Sequence, residues 1–124
     1  MKPLRCIVIA DDSTTARMII RRCLEIAGAD SATFLEAKDG KEALELAKTH
    51  DVELLVTDLN MPNMDGQSLL KHIKSSPKLS QLPVLIISSA SNDAKESGLL
   101  DMGAFAILGK PVTPANLAKI IEKL

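Results

Sequence analysis

Five short apolar runs rich in β-branched residues alternate along the chain with stretches in which apolar residues recur at helical spacing. Continuous apolar runs of this length are typical of strands that are buried on both faces. The predicted strands are Leu4–Ala10, Ala32–Glu36, Glu53–Asp58, Pro83–Ser88 and Phe105–Leu108. Strands that alternate with helices favour a parallel sheet joined by right-handed crossovers. The pattern therefore predicts an α/β fold, with a five-stranded parallel sheet and five helices on its two faces.

Several predicted helices begin at residues that can cap a first turn. These caps are Ser13 or Thr14 for the first helix, Asp39 for the second and Thr113 for the last. The third and fourth helices are expected at about 66–75 and 92–102. On the first helix, we expect one face to pack in the core and the arginines to lie on a solvated face. The expected core positions are Ala16, Ile19, Ile20, Cys23 and Ala27.

Length and charge exclude several classes of protein. A chain of 124 residues suits one domain, expected over 1–124. Its formal net charge of -1 argues against nucleic-acid binding, which usually needs a basic surplus. No apolar run approaches the ~20 residues of a membrane helix, so we expect no membrane insertion. Two cysteines without a C-x-x-C motif suit a reduced, cytoplasmic compartment.

Polar and charged residues follow four of the predicted strands. Asp11-Asp12 follows the first strand, Asp58 ends the third, Ser88-Ser89 comes at the end of the fourth, and Lys110 follows the fifth. In open parallel sheets, ligands bind outside the carboxyl ends of the strands. The topology therefore predicts three carboxylates, a hydroxyl and an ammonium group at one edge of the sheet.

Three neighbouring carboxylates repel one another unless a cation lies among them. Oxygen ligands suit a hard cation such as Mg²⁺, for which Mn²⁺ could substitute. A carboxylate beside such a metal can attack phosphorus and form an aspartyl phosphate. A lysine and a hydroxyl on the other side could hold the phosphoryl oxygens, because phosphoryl transfer depends on positioning and on charge stabilisation.

These residues resemble a known family. Asp11-Asp12, the run Asp58-Leu59-Asn60-Met61-Pro62-Asn63-Met64-Asp65-Gly66, Ser88 and Lys110-Pro111 are similar to the receiver domain of two-component response regulators. The likeness covers almost the whole chain and is greatest to stand-alone chemotaxis-type regulators. It implies a flavodoxin-like sheet with the strand order 2-1-3-4-5.

The resemblance also implies a role for each site residue. Asp58 would be the phosphoacceptor, Asp12 and Asp58 would bind Mg²⁺ directly, and the backbone carbonyl of Asn60 would be a further ligand. Asp11 would act through a metal-bound water. Ser88 and Lys110 would contact the phosphoryl group, and the Lys110-Pro111 bond would be cis. Such a domain catalyses its own phosphorylation and dephosphorylation as a signalling module.

One position departs from the family pattern. The family's switch position, often Tyr or Phe, holds Ile107 here. Phe105 lies two residues earlier and, by strand alternation, is expected on the same face. Ser88, Ser89, Ile107 and Phe105 are the expected switch residues. Ala90, beside the phosphorylation site, can neither position a water by hydrogen bonding nor block it.

The resemblance implies partners as well. The phosphodonor would be a sensor histidine kinase or a phosphotransfer protein. A downstream target would bind the face formed by the fourth helix, the fifth strand and the fifth helix. Residues 89–110 would change conformation on phosphorylation. The chain would be a monomer or a phosphorylation-dependent dimer. It would act in chemotaxis, in a phosphorelay or in another pathway.

Three alternatives remain open from the residues alone. An interaction module that works without phosphorylation rests on Ile107. A flavin-binding protein rests on Ser13-Thr14-Thr15, but Asp11 and Asp12 would repel a phosphate there. The chain also lacks Trp and Tyr to flank a flavin ring. An aspartyl-phosphate phosphatase would typically show D-x-D-x-T, which the residues after Asp58 do not match.

Overall fold

The computed structural model describes residues 3–89 and 92–124. In this part of the chain, five strands form one parallel sheet in the order β2-β1-β3-β4-β5. The strands are β1 Cys6–Ala10, β2 Thr33–Ala37, β3 Leu54–Asp58, β4 Val84–Ser88 and β5 Ala106–Gly109. The predicted fold class and strand order are confirmed. The strand ends at Ala10, Asp58 and Ser88 agree with the predicted ones, and the other strand ends differ by one or two residues.

Five helices connect the strands. They are α1 Thr14–Leu24, α2 Gly40–Thr49, α3 Gly66–Ser75, α4 Asp93–Asp101 and α5 Pro114–Glu122. The side chains of Ser13, Asp39 and Thr113 accept hydrogen bonds from the first turns of α1, α2 and α5, as the capping pattern predicts. After α1 the chain forms a π-helical turn over Glu25–Ala29, in which Gly28 has a φ of 120°. This left-handed conformation, which glycine adopts readily, ends the helical path.

Alternating strand residues divide the core into two layers. Val8, Leu55 and Ile86 point to one face of the sheet, where α2, α3 and α4 cover them in a layer we call the α2–α4 core. Their neighbours point to the other face, where α1 and α5 form the α1/α5 core. Because both faces of β1, β3 and β4 are covered, these strands are apolar except at their carboxyl ends, where Thr57, Asp58 and Ser88 lie.

The predicted core face of α1 is wrong at one position. Ile20 and Cys23 are buried as expected, whereas Ile19 is 51% exposed and Leu24 is fully buried. The buried stripe is therefore rotated towards the side of Ile20 and Leu24, which lie four residues apart on one face.

No helix within residues 3–89 and 92–124 combines the length and the apolar composition that a membrane crossing requires.

Candidate functional site

Four of the predicted site residues lie at the carboxyl edge of the sheet. Asp58 and Ser88 are the last residues of β3 and β4. Asp11 and Lys110 directly follow β1 and β5. Because the strands are parallel and in register, their carboxyl ends meet at one edge. Residues that are up to 99 positions apart in the chain are thereby brought into contact.

Three carboxylates form an acidic cluster at this edge. Asp11, Asp12 and Asp58 each offer one oxygen, and these atoms lie within 4.8 Å of one another. Asp11 and Asp58 are buried, whereas Asp12 is exposed. Three carboxylates at this separation are stabilised by a cation among them. An all-oxygen donor set with one ligand open to solvent fits a hard divalent ion such as Mg²⁺, which keeps several of its waters.

Each buried carboxylate of the cluster is held through one oxygen and faces Lys110 with the other. Oδ1 of Asp58 accepts a hydrogen bond from the backbone N–H of Leu59 at 2.8 Å, and Oδ1 of Asp11 accepts one from that of Ser13 at 2.9 Å. The Nζ atom of Lys110 lies 3.5 Å from Oδ2 of Asp58 and 3.3 Å from Oδ2 of Asp11. The ammonium group therefore bridges two carboxylates whose orientation is fixed by the backbone.

The charges at the site perturb one another. Burial raises the pKa of Asp58 above its usual range and the Asp11 carboxylate raises it further, while the ammonium group of Lys110 offsets part of this rise. Burial alone would lower the pKa of Lys110, but Asp11 and Asp58 outweigh it and the pKa is raised. The lysine is thus firmly protonated, and it only partly compensates the two acids. The site favours additional positive charge.

The remaining predicted residues lie at the carboxyl end of β4 and in the segments that follow β3, β4 and β5. Asn60 is exposed in the loop that joins β3 to α3. Ser88 is buried at the end of β4, and its carbonyl accepts a hydrogen bond from the backbone N–H of Lys110 at 3.0 Å. Ser89 is exposed directly after β4. The peptide bond between Lys110 and Pro111 is cis. Ala90 lies outside the described residues.

The expectation that Phe105 shares a face with Ile107 is wrong. Ile107 packs against the α2–α4 core, whereas Phe105 packs against the α1/α5 core with Ala106 and Leu108. The reason is that β5 begins at Ala106. Phe105 precedes the strand, so the two-residue alternation of side chains does not extend to it. Phe105 therefore does not take the place of an aromatic residue at position 107.

Arg17 is a residue that the sequence pattern placed wrongly on a solvated face. Its Nη1 atom donates to the backbone carbonyl of Asp11 at 2.5 Å, and its Nε atom donates to Glu36 at 2.8 Å. Arg17 thus fixes the turn that carries Asp11 and Asp12 to the end of β2. No local signal identifies this role, because Glu36 lies 19 residues away along the chain.

Gly66 closes the loop beside the acidic cluster. Its N–H donates to the carbonyl of Leu59 at 2.8 Å. A Cβ atom at this position would lie 2.3 Å from the backbone oxygen of Asp58 and 2.9 Å from the Cα of Leu59. Only glycine allows α3 to start so close to the end of β3.

Comparison with known proteins identifies the family to which this fold and these residues belong. The family model for the response regulator receiver domain matches residues 7–122. The chain belongs to the response regulator receiver family. It is a receiver domain of the CheY type, and membership implies two-component signalling. Receiver domains bind Mg²⁺ through an acidic pocket, and the three carboxylates form a cluster of that kind.

Curated relatives cover nearly the whole receiver domain. It is 35% identical over 117 residues to a chemotaxis protein CheY homolog of Campylobacter jejuni, a match spanning 94% of this chain and 88% of the relative. It is 37% identical over 118 residues to the chemotaxis protein CheY-3 of Vibrio cholerae, spanning 95% and 87%.

Solved structures share the fold. The chemotaxis response regulator CheY4 of Vibrio cholerae superposes with a TM-score of 0.84 at 27% identity, covering 97% of this chain and 98% of that one. A putative response regulator from Chloroflexus aurantiacus superposes with a TM-score of 0.86 at 26% identity, covering 98% and 97%.

Proposed function

We propose that the receiver domain accepts a phosphoryl group on Asp58 from a phosphohistidine of a sensor kinase or phosphotransfer protein. A carboxylate oxygen of Asp58 attacks the phosphorus. The O–P bond forms as the N–P bond breaks, and the leaving imidazole keeps the electron pair and takes a proton from water. Hydrolysis removes the phosphoryl group from Asp58. Water attacks the phosphorus, inorganic phosphate leaves and the Asp58 carboxylate is restored.

One observation carries this proposal: Asp58, held by the backbone at Oδ1, has Oδ2 3.5 Å from Lys110 and lies within 4.8 Å of two further carboxylates. The ammonium group is placed to offset negative charge on the transferring phosphoryl group. Ser88, buried at the end of β4, would donate a hydrogen bond to a phosphoryl oxygen.

Asp11, Asp12, Asp58 and the backbone carbonyl of Asn60 would hold Mg²⁺, directly or through water. The ion would neutralise charge on the phosphoryl oxygens and help to align the donor. The carboxylates and the lysine then have distinct roles, because the acids attract the cation and the lysine contacts the phosphoryl group. Mn²⁺ has the same preference for oxygen ligands and would substitute.

We further propose that residues 1–124 act as a single receiver domain whose output is binding to a target protein. The binding surface would be formed by α4, β5 and α5. The domain would act as a monomer or as a phosphorylation-dependent dimer. In α4, Leu99 is the only residue of Asp93–Asp101 that is buried, so little packing opposes a shift of this helix. Amide hydrogen exchange over 92–110 should change on phosphorylation, and an unchanged pattern would contradict this choice of surface.

Intact-mass analysis after incubation with acetyl phosphate tests the acceptor. We expect one added phosphoryl group on the wild type with Mg²⁺, and none with a chelator or on Asp58→Asn. Asp51→Asn is the matched control, because Asp51 is an exposed carboxylate before β3, at the opposite edge of the sheet. It should be phosphorylated like the wild type.

Phosphorylation of Asp58→Asn at wild-type level would overturn the assignment of Asp58. A folded wild type that gains no phosphoryl group from acetyl phosphate, nor from a panel of autophosphorylated histidine kinases, would overturn the phosphoacceptor function. That second result would favour an interaction module that works without phosphorylation. Ile107, in place of an aromatic switch residue, is the feature that points to this alternative.

A further inference from the structure

A buried carboxylate outside the acidic cluster fastens the loop that carries Asn60. Asp39 precedes α2 and is only 3% exposed. Its Oδ1 atom caps α2 by accepting the N–H of Glu42 at 2.8 Å. Its Oδ2 atom accepts a hydrogen bond from Nδ2 of Asn63 at 2.7 Å. The second contact is not needed to cap the helix, so it calls for a separate explanation.

The neighbouring backbone makes a parallel connection. The N–H of Gly40 donates to the carbonyl of Met64 at 2.9 Å. A Cβ atom at Gly40 would lie 2.6 Å from that carbonyl oxygen and 2.8 Å from Cγ of Met64. The start of α2 and the loop are therefore in direct contact. We call the two hydrogen bonds, Asp39–Asn63 and Gly40–Met64, the loop latch.

The conformation of Asn63 matches this function. Its φ of 66° lies in the left-handed region, where asparagine is one of the few residues other than glycine that are readily accepted. Charge-assisted hydrogen bonds such as that from Asn63 to the Asp39 carboxylate are short and strong. The same two contacts lower the pKa of Asp39, the hydrogen bond from Glu42 more than the hydrogen bond from Asn63. The carboxylate form that accepts both bonds is therefore the stable one.

The latch acts on a short loop with both ends fixed. Residues 59–65 join β3 to α3, and Gly66 N–H closes the loop onto the Leu59 carbonyl at 2.8 Å. Asn60 is exposed and lies between this closure and the latch. The conformational freedom of the backbone at Asn60 is thus restricted by Asp58 on one side and by Asn63 on the other.

We propose that Asp39 is a positioning residue for the Mg²⁺ site, acting through Asn63 to fix the loop that presents the Asn60 carbonyl. This inference rests on the proposed function, since it takes that carbonyl as a ligand. Residues that orient metal ligands typically change metal affinity by 10- to 100-fold when they are replaced. The latch should therefore determine how tightly the metal binds while leaving the phosphoacceptor itself unchanged.

Two substitutions break the Asp39–Asn63 bond without removing other features. Asn63→Gly deletes the carboxamide but keeps a residue that accepts positive φ. Asp39→Ser keeps an oxygen that can cap α2 but cannot reach both partners. Isothermal titration with Mg²⁺ should show about 10-fold weaker binding for each variant. The double variant should bind no more weakly than either single variant, because both remove the same bond.

The rate of phosphorylation separates positioning from catalysis. At saturating Mg²⁺, Asn63→Gly should be phosphorylated by acetyl phosphate at nearly the wild-type rate. At low Mg²⁺ it should be slower. Asp39→Asn should bind Mg²⁺ more tightly than Asp39→Ser. The amide of an asparagine at position 39 can still pair with the Asn63 carboxamide once that carboxamide flips.

Ile121→Val in α5 is the stability control, because it removes a buried methyl group from the α1/α5 core on the other face of the sheet. It should lower stability without changing Mg²⁺ affinity. Wild-type Mg²⁺ affinity in both latch variants would overturn the proposal, as would equal weakening in Ile121→Val. If the wild type itself neither binds Mg²⁺ nor is phosphorylated, the proposed function fails, and that outcome is distinct from failure of the latch.

Discussion

At the scale of single residues, the surroundings of Asp58 favour its protonated form, whereas the proposed function requires the ionised form. The carboxylate is buried beside Asp11, and both features raise its pKa. A nucleophile at this position must nevertheless be ionised at neutral pH. Lys110 supports the ionised form, and a bound cation would support it further. On the proposed function, the domain therefore gives up some stability to keep a charged phosphoacceptor at the end of β3.

This conflict predicts that Asp58→Asn is more stable than the wild type at neutral pH in metal-free buffer. Because the pKa of Asp58 is raised on folding, the ionised carboxylate destabilises the folded state above that pKa. The penalty disappears as the pH falls below the unfolded value of about 3.9. Urea denaturation should show a gain in the free energy of unfolding at pH 7 that shrinks towards zero near pH 3.

Asp51→Asn provides the comparison for this experiment. It replaces an exposed carboxylate, so its free energy of unfolding should stay within about 0.5 kcal/mol of the wild type at each pH. An Asp58→Asn protein that is less stable than the wild type at pH 7 would show that the Lys110 contact outweighs burial and repulsion.

The site residues differ in how far they could be predicted from sequence. Asp11, Asp58, Ser88 and Lys110 follow from the alternation of strands and helices, because a parallel sheet brings the carboxyl ends of its strands to one edge. The contacts of Arg17 with Glu36 and of Asn63 with Asp39 could not be predicted in this way. Each joins two loops or elements about 20 residues apart, and depends on side-chain directions that no local pattern encodes.

At the scale of helices and strands, glycine is required by packing in α3 but lowers helix stability in α4. Gly66 starts α3 in contact with β3, and a Cβ atom would meet backbone on two sides. Gly98 lies inside α4 and is exposed, and among residues 3–89 and 92–124 no atom outside the backbone of its own helix lies within 4 Å of the position of a Cβ atom. One glycine is required by packing, whereas the other only weakens a helix that packs lightly.

The same substitution should therefore have opposite effects at these two positions. Gly98→Ala should raise the free energy of unfolding by about 1 kcal/mol, because alanine has the higher helix propensity. Gly66→Ala should lower it by about 1–3 kcal/mol, since the backbone must shift to admit the methyl group. Urea denaturation monitored by far-UV circular dichroism measures both. A loss of stability in Gly98→Ala would contradict the open surroundings of that residue.

Element boundaries explain where the interpretation of the sequence failed. Side-chain alternation predicts one face for Phe105 and Ile107, but β5 starts at Ala106, between them. In α1, the spacing of apolar residues predicts a buried Ile19 and omits Leu24, whereas packing on the sheet buries Leu24 and leaves Ile19 51% exposed. Periodicity thus predicted which elements exist, whereas their exact ends and rotation depend on contacts with the rest of the fold.

At the scale of the whole molecule, the fold was the most predictable feature. The five apolar strand runs and the caps of three helices are local signals that agree with one another. The strand order followed from the family resemblance, since β-α alternation alone does not choose among parallel orders. The acidic cluster arises from that order, because it places β1 between β2 and β3 and brings Asp11 beside Asp58.

Metal binding should be linked to the stability of the entire domain. A ligand that binds only the folded state stabilises it by RT ln(1 + [L]/Kd), which is about 1.4 kcal/mol at ten times the dissociation constant. Mg²⁺ at that concentration should therefore raise the wild-type midpoint of thermal unfolding by several degrees. Asp12→Asn and Asp58→Asn should lose this increase, because each removes one carboxylate of the cluster.

Asp30→Asn serves as the matched control for this linkage, as Asp30 is exposed in the turn before β2 and lies outside the acidic cluster. It should keep the full Mg²⁺-dependent increase. An equal increase in Asp12→Asn, Asp58→Asn and the wild type would place the cation elsewhere on the molecule. Because the unfolded chain has no assembled carboxylate cluster, a shift confined to proteins with all three acids would identify the sheet edge as the origin of the stabilisation.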